Sequence, residues 1–152
     1  MAEWTETFKG AIPTTEYDPN AYMNTQTYVS RFDQATWFLL STIGITPRKA
    51  REFGRRIAVI RQSLQFVHEL RGGELVIIES GFVSVGTKHL RFVHRLVDAE
   101  NGQLVATSDC TAVSVDIKTD KSVELSTELT EKAKSLLVTI NDAQRVDLDS
   151  LV

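Results

Sequence analysis

The sequence predicts an α+β protein in which an antiparallel sheet wraps around one long central helix, with a short helix near the carboxyl end. Apolar residues recur at three- and four-residue spacing from Tyr28 to Ile43, as on a buried helix. Residues 57–116 are rich in Val, Ile and aromatic residues broken by glycine turns, which is typical of strands. A long apolar helix must pack against another layer, and these strands are available to supply it. We predict one domain at residues 1–140 and a polar tail at 141–152.

Composition narrows the class of protein. The chain has 152 residues, 42% of them hydrophobic and 24% charged, as expected for one globular domain. The net charge of −3 does not favour a nucleic acid as partner. Cys110 is the single cysteine, so no internal disulfide forms. Residues 1–6 do not resemble a signal peptide, and no apolar run reaches the ~18 residues needed to span a bilayer. We predict a cytoplasmic protein without a membrane or nucleic-acid partner.

The first third of the chain predicts an edge strand and then the central helix. Residues 5–12 carry Phe8 and stop at Pro13, as an edge strand does. Asn24 or Thr25 is expected to cap the helix, because a short polar side chain accepts a bond from an otherwise unpaired N–H. The helix is expected to run to about residue 42, since Gly44 favours a stop. Residues 46–56 form the most basic segment of the chain.

The remaining elements are four strands and a second helix. The strands are predicted at residues 57–70, 75–85, 89–97 and 104–116, separated by glycine-containing turns, of which Asn101-Gly102 is a strong hairpin signal. Their succession predicts that the last four strands form an antiparallel meander. Residues 126–138 return to helical spacing, with Glu128 and Lys132 paired at i,i+4.

Several kinds of site are excluded by the motifs that the chain lacks. It contains no phosphate-binding loop, no dinucleotide-binding glycine pattern and no nucleophile-elbow serine. His68 and His94 fall on predicted apolar strand faces, where hydrogen-bonded structural histidines are expected. Cys110 is expected to be a small buried apolar residue. We therefore predict no metal site and no cofactor.

Asp18 is the best remaining candidate for chemistry. It stands in a turn-rich run just before the central helix, with Pro19 directing it away from helical dihedrals. One interpretation is structural, with the carboxylate binding backbone N–H groups of an Asx-type turn. The other is catalytic, because free N–H groups at the amino end of a helix stabilise negative charge. Local sequence leaves both interpretations open.

Residues 18–35 resemble the entry motif of hotdog-fold acyl-CoA thioesterases, specifically the 4-hydroxybenzoyl-CoA thioesterase family. The motif is Asp18-Pro19-Asn20-Ala21-Tyr22-Met23-Asn24-Thr25-Gln26-Thr27-Tyr28, followed by Arg31-Phe32-Asp33-Gln34-Ala35. The later segments Gly72-Gly73-Glu74-Leu75, Gly86-Thr87-Lys88-His89-Leu90-Arg91-Phe92, Leu104-Val105-Ala106-Thr107 and Val113-Ser114-Val115-Asp116 are also similar to the family's turns and strands. The resemblance covers residues 8–137 and implies a hotdog fold.

The resemblance also implies a site. Asp18 corresponds to the family's catalytic carboxylate, acting as nucleophile or as general base on water. Tyr22, Met23, Asn24 and Thr25 would form the helix entry that polarises the thioester carbonyl. Tyr28, Trp37 and Asp109 would line the acyl pocket. Arg55, Arg56, Lys88, His89 and Arg91 would bind CoA, arginine being suited to phosphate. The chain departs from the motif at Ala21, where the family commonly has Gly, and at Tyr22, where many members have His.

The implied activity is hydrolysis of a short or small polar acyl-CoA by a homodimer, or a dimer of dimers, with sites between subunits. Residues 88–116 are similar to members associated with carnitine and betaine catabolism, which suggests betainyl-CoA. Its cationic acyl group would need carboxylates or aromatic faces, for which Tyr22, Trp37 and Asp109 are candidates. The main alternative is a hotdog module that binds acyl-CoA without turnover. A hydratase is not supported, because no Asp–His pair has suitable spacing.

Overall fold

The computed structural model describes residues 3–13 and 23–140. Their elements are, in chain order, β1 (Thr5–Ala11), α1 (Thr25–Ser41), α2 (Pro47–Glu52), β2 (Arg55–Phe66), β3 (Leu75–Val85), β4 (His89–Asp98), β5 (Leu104–Asp116) and α3 (Thr127–Ser135). The predicted tail lies outside the described residues. The α+β class is confirmed, and the predicted bounds of β3 and β5 coincide with the observed ones.

The five strands form one antiparallel sheet in the order β1-β3-β4-β5-β2. The predicted meander of the last four strands is therefore wrong, because only β3, β4 and β5 follow one another. β2 pairs instead with β5, at the far edge from β1. The connection after β2 cannot form a hairpin, since Val67 N–H donates to the carbonyl of Val105 and Gly73 N–H to that of Ile12. These bonds carry the chain across the end of the sheet before β3 begins.

Helix α1 forms where the apolar stripe predicts it. Its buried face includes Phe32, Ala35, Leu39 and Leu40, and it packs chiefly on β1 and β3, and less extensively on β4. The helix ends at Ser41, one residue before the predicted stop, and the chain turns through Gly44 at a φ of 91°. A positive φ is strained for residues with a Cβ, so glycine suits this turn.

Three local details depart from the sequence expectations. The basic segment contains the short helix α2, whose Thr46 cap and Pro47 at the first position are ordinary helix-start signals. Strand β2 ends at Phe66, so His68 is not on an apolar strand face; it is exposed, with its Nε2 2.9 Å from Nε2 of Gln103. Helix α3 is shorter than predicted because the chain after it runs beside β3, where Val138 N–H donates to the carbonyl of Phe82.

Other local predictions are confirmed. β1 is an edge strand, and Cys110 and His94 are buried. His94 is hydrogen-bonded on both ring nitrogens, to Thr36 and to Ser80, as expected of a structural histidine. In α3 the Lys132 ammonium lies 3.5 Å from the Glu128 carboxylate.

Candidate functional site

The helix entry, Met23–Asn24–Thr25, joins α1 to the end of the sheet. Asn24 is the cap: its Oδ1 accepts bonds from the N–H of Thr27, at 3.1 Å, and from the hydroxyl of Thr27. Met23 is buried, and its N–H donates to the carbonyl of Leu70 at 2.7 Å. The amide of Met23 is therefore occupied within the fold. The N–H groups of Thr25 and Gln26, at the first two positions of α1, have no partner within a helix, and such groups favour an anion or a developing oxyanion.

Two predicted members of this site, Asp18 and Tyr22, lie outside the described residues, and their roles stay predictions. Of the two candidate caps, Asn24 and Thr25, the structure shows that Asn24 caps the helix. The exposed hydroxyl of Thr25 is therefore available to a ligand or water.

Tyr28 lies directly below the helix entry. Its ring meets that of Phe66 edge to face, with 5.1 Å between centroids, and 5% of the residue is exposed. Burial raises the pKa of the phenol, while a hydrogen bond to the backbone of Leu70 opposes that rise. The phenol is thus neutral at physiological pH, and the ring forms part of the core beneath the entry.

Trp37 and Asp109 were predicted to share an acyl pocket, but the structure places them on opposite faces of the sheet. Ser108 and Cys110 of β5 alternate with Asp109 and pair with strand positions of β4 that face α1. Successive side chains of a strand point to opposite faces, so Asp109 points away from the helix. There it accepts two bonds from Arg91, at 2.9 and 2.6 Å. Trp37, on α1, is half-buried against the core on the helix side.

The predicted CoA-binding cations are divided between two places. Arg91 is held by Asp109 on the outer face, in an ion pair whose charge assistance raises the pKa of the guanidinium. Arg55 and Arg56 begin β2. On the other side of the end of β5, His89 begins β4 and Lys88 immediately precedes it. Arg55 pairs with Asp116 at 2.8 Å and Arg56 with Asp120 at 3.1 Å. All three arginines therefore carry a carboxylate partner, so a phosphate would have to share or displace it.

A cavity of 730 Å³ lies at the end of α1 opposite the helix entry. Apolar side chains of the segment after α1, of β2 and of α3 line it. Its charged lining is mixed, with three cations and three carboxylates: Lys49, Arg55, Lys132, Glu52, Glu124 and Glu128. The sequence had not indicated Lys132 as a site residue, because the lining comes from segments far apart in the chain. The cavity is large enough for a drug-sized group.

The described part of the chain holds no cluster of three or more His, Cys, Asp or Glu residues arranged to hold a metal ion. In the same part, no helix combines the length and the hydropathy that crossing a membrane requires.

Comparisons with known proteins agree with this architecture. Residues 12–133 match the thioesterase-like superfamily. A Rhizobium meliloti protein described as L-carnitine dehydrogenase/betainyl-CoA thioesterase is 26% identical over 119 residues, which are 78% of this chain. The matched region is 24% of that relative, so the chain spans about a quarter of its length.

Solved structures share the fold at low sequence identity. A hypothetical protein from Staphylococcus aureus, solved in complex with CoA, superposes with a TM-score of 0.84 at 13% identity, over 93% of this chain and 90% of that one. A 1,4-dihydroxy-2-naphthoyl-CoA thioesterase from Synechocystis superposes with a TM-score of 0.77 at 12% identity, over 88% and 98%. The predicted hotdog fold is thereby confirmed. Because the family match covers most of the sequence, the chain belongs to the thioesterase-like superfamily.

Proposed function

We propose that this protein hydrolyses the CoA thioester of a short or small polar acid, with betainyl-CoA as the first candidate, and releases the free acid and CoA. The observation that carries the proposal is the match of residues 12–133 to the thioesterase-like superfamily. The R. meliloti relative suggests the acyl group, since betainyl-CoA thioesterase is part of its description.

In the proposed reaction, Asp18 supplies the negative charge that starts catalysis. It either removes a proton from a water that attacks the thioester carbon, or attacks that carbon itself to give an anhydride that water then hydrolyses. The electron pair of the carbonyl moves onto oxygen, which N–H groups near the amino end of α1 stabilise. Collapse of that oxyanion expels the CoA thiolate, which takes up a proton. Since Met23 N–H donates to Leu70, the donors belong to neighbouring positions of the entry.

The CoA portion is proposed to bind at the end of the sheet opposite the helix entry. Lys88, His89, Arg55 and the 730 Å³ cavity all lie at that end. Within one subunit this end is separated from the helix entry by the length of α1, about 25 Å for its 17 residues. Within one subunit, the proposed CoA-binding end of the sheet and the helix entry are therefore too far apart to form one compact site.

A homodimer joined at β2 would remove that separation. β2 is an edge strand, and its Val59 and Ile60 are 46% and 63% exposed. Helix α1 runs antiparallel to β2, because Tyr28 meets Phe66 at one end while Ile43 and Ile57 share the cavity at the other. Antiparallel pairing of two β2 strands about a two-fold axis would place the cavity of one subunit beside the helix entry of the other. The proposed site would then contain residues of both subunits.

The substitution Ile60→Lys tests this arrangement. It places like charges near the two-fold axis of an edge-to-edge sheet, and charged residues on edge strands oppose such pairing. We expect the molar mass from light scattering to fall to that of one chain, and thiol release to fall at least about ten-fold. Leu75→Lys, at a 49% exposed position of β3 that pairs with β1, is the matched control. A dimer of unchanged mass in the Ile60→Lys protein would contradict pairing through β2.

The activity itself is tested by release of free thiol from a panel of acyl-CoAs. The panel should contain acetyl-, butyryl-, benzoyl-, palmitoyl- and betainyl-CoA, with thiol measured by a chromogenic disulfide. We expect turnover to be greatest on a short or small polar acyl group. If no member of the panel is hydrolysed but calorimetry detects binding, the protein is the alternative, a hotdog module that binds acyl-CoA.

A further inference from the structure

The turn between β4 and β5 contains the dipeptide Asn101-Gly102. Two backbone bonds close this turn: the N–H of Asp98 donates to the carbonyl of Gln103 at 2.9 Å, and the N–H of Gly102 to the carbonyl of Asp98 at 2.8 Å. Gly102 has a φ of 73°, which residues with a Cβ rarely adopt. The fold therefore favours glycine at this position, and glycine also affects the chemistry of the asparagine before it.

The side chain of Asn101 is bound by the backbone of its own turn. Its Oδ1 accepts a hydrogen bond from the N–H of Gln103 at 2.8 Å, which makes an Asx turn and folds the side chain back alongside the peptide bond to Gly102. A donor at a carbonyl oxygen withdraws electrons from the carbonyl carbon and stabilises negative charge on the oxygen when a nucleophile adds. Cγ of Asn101 is therefore an activated electrophile.

The backbone nitrogen of Gly102 is the nearest nucleophile along the chain, and no Cβ hinders its approach to Cγ of Asn101. Around the position where such a Cβ would stand, no heavy atom beyond the adjoining residues lies within 4 Å, so the turn is not crowded. Residues 101–103 are exposed, and exposed turns open locally at low cost. Because the Gly102 nitrogen must first lose its bond to Asp98, opening of the turn controls the rate of attack.

We propose that Asn101 is a site of spontaneous covalent modification, at which the side-chain amide is converted to a carboxylate through a cyclic imide. The Gly102 nitrogen gives up its proton to solvent and forms a bond to Cγ of Asn101, and the side-chain nitrogen takes up a proton and leaves as ammonia. Water then opens the imide. Addition of water at Cγ gives aspartate, whereas addition at the backbone carbonyl carbon gives isoaspartate, whose main chain passes through Cβ.

Asn24 has the same side chain in a setting that opposes this reaction. It is followed by the β-branched Thr25, whose nitrogen belongs to the first turn of α1. Its Oδ1 accepts bonds from both the N–H and the hydroxyl of Thr27 as the helix cap. Formation of an imide there would require the helix end to unwind. Asn24 should therefore keep its amide, and it serves as a control within the same molecule.

Modification is expected to loosen the hairpin. Both products add a negative charge beside Asp98 and Glu100, whose own contact is a bond from the N–H of Glu100 to Oδ1 of Asp98 at 2.8 Å. Isoaspartate also lengthens the main chain by one methylene between the paired residues Asp98 and Gln103. The closing bonds of the turn, and the bond from the N–H of Ala99 to the carbonyl of Leu75 at 2.9 Å, should weaken in the modified chain.

The test is prolonged incubation of the purified full chain at physiological temperature and at several pH values. Peptide mass spectrometry detects conversion of amide to acid, and methyl transfer from labelled S-adenosylmethionine by an isoaspartyl methyltransferase counts isoaspartate. We expect conversion at Asn101 to increase with time and with pH, because the deprotonated Gly102 nitrogen is the nucleophile. Isoaspartate should be the major product. Asn24 should remain an amide, and the inference does not depend on the proposed thioesterase function.

Two variants test the route through the imide. Asn101→Gln keeps an amide but would have to form a larger ring, and Gly102→Ala places a methyl group beside the attacking nitrogen. Each should slow conversion at residue 101 by at least about ten-fold. Because alanine is strained at the φ of Gly102, the urea midpoint of Gly102→Ala is measured to show whether the fold has been weakened.

Three results would overturn the proposal. Asn101 could keep its amide in the folded chain while chain unfolded in urea is converted, which would show that the bond from Gly102 to Asp98 protects the site. Equal conversion at Asn101 and Asn24 would indicate unselective hydrolysis. Formation of aspartate without isoaspartate, or an Asn101→Gln protein converted as fast as wild type, would exclude the imide.

Discussion

The substitution Asp18→Asn is expected to lower kcat/KM for the best acyl-CoA substrate by about a hundred- to ten-thousand-fold. The amide has nearly the shape of the carboxylate, but it neither accepts a proton from water nor attacks a thioester. The amide oxygen of asparagine still accepts hydrogen bonds, so stability should change little. The measurement is initial-rate thiol release, with the urea midpoint as a check on folding.

Two further variants make the Asp18 result specific. Glu131→Gln neutralises an exposed carboxylate on α3 and should leave the rate unchanged. Asp18→Glu retains the charge but moves it by one methylene, so a partial loss is expected. If Asp18→Asn hydrolyses acyl-CoA as fast as wild type, Asp18 is only a turn residue, and the acidic group of the reaction lies elsewhere.

The stability of the fold is expected to fall as the pH is lowered from about 6.5 towards 3, because His94 must remain neutral. His94 is fully buried, and desolvation lowers its pKa from 6.5 to about 3. Between pH 6.5 and 3, His94 is therefore protonated in the unfolded chain but neutral in the folded chain. The free energy of unfolding decreases as the pH falls through this interval. At about 1.4 kcal/mol per pH unit, the upper limit of the loss is about 5 kcal/mol.

The contacts of His94 explain why it is retained in the core. Its Nε2 lies 2.8 Å from the hydroxyl of Thr36 on α1, and its Nδ1 is hydrogen-bonded to Ser80 on β3. Ser80 is in turn 2.7 Å from the hydroxyl of Thr7 on β1. A chain of hydrogen bonds thus connects α1 through β4 and β3 to β1. Both neutral tautomers can complete it, because each hydroxyl can donate or accept.

His94→Gln separates this contribution from ordinary acid denaturation. Glutamine keeps a polar group near Thr36 but does not titrate, so we expect a loss of about 1–3 kcal/mol at neutral pH and a flatter pH dependence below 6.5. The measurement is the urea unfolding free energy at several pH values between neutrality and 3. His68→Gln, at the exposed histidine beside Gln103, is the control. Equal slopes for wild type and His94→Gln would contradict the assignment.

Local patterns in the sequence predicted most of the elements correctly. The apolar stripe of α1, a polar cap at Asn24 or Thr25 and the bounds of β3 and β5 depend on neighbours within a few positions. The position of β2 does not. Whether it pairs with β3 or β5 depends on hydrogen bonds between segments far apart in the chain, such as that from Val67 to Val105. The turn residues Gly72 and Gly73 favoured a hairpin between β2 and β3. Pairing of β2 with the distant strand β5 determined its position instead.

The sequence by itself determined the class of the protein and the central helix, and it limited the capping residue to Asn24 or Thr25, because periodicity, capping and family motifs are properties of short stretches. Tertiary structure alone decided which carboxylate faces which side of the sheet. The sequence had grouped Asp109 with Trp37 in an acyl pocket, yet strand alternation directs Asp109 to Arg91 on the outer face. The same packing placed the neutral His94 at the centre of a hydrogen-bonded chain that joins three strands to α1. Both results depend on contacts between distant segments, which no short stretch of sequence encodes.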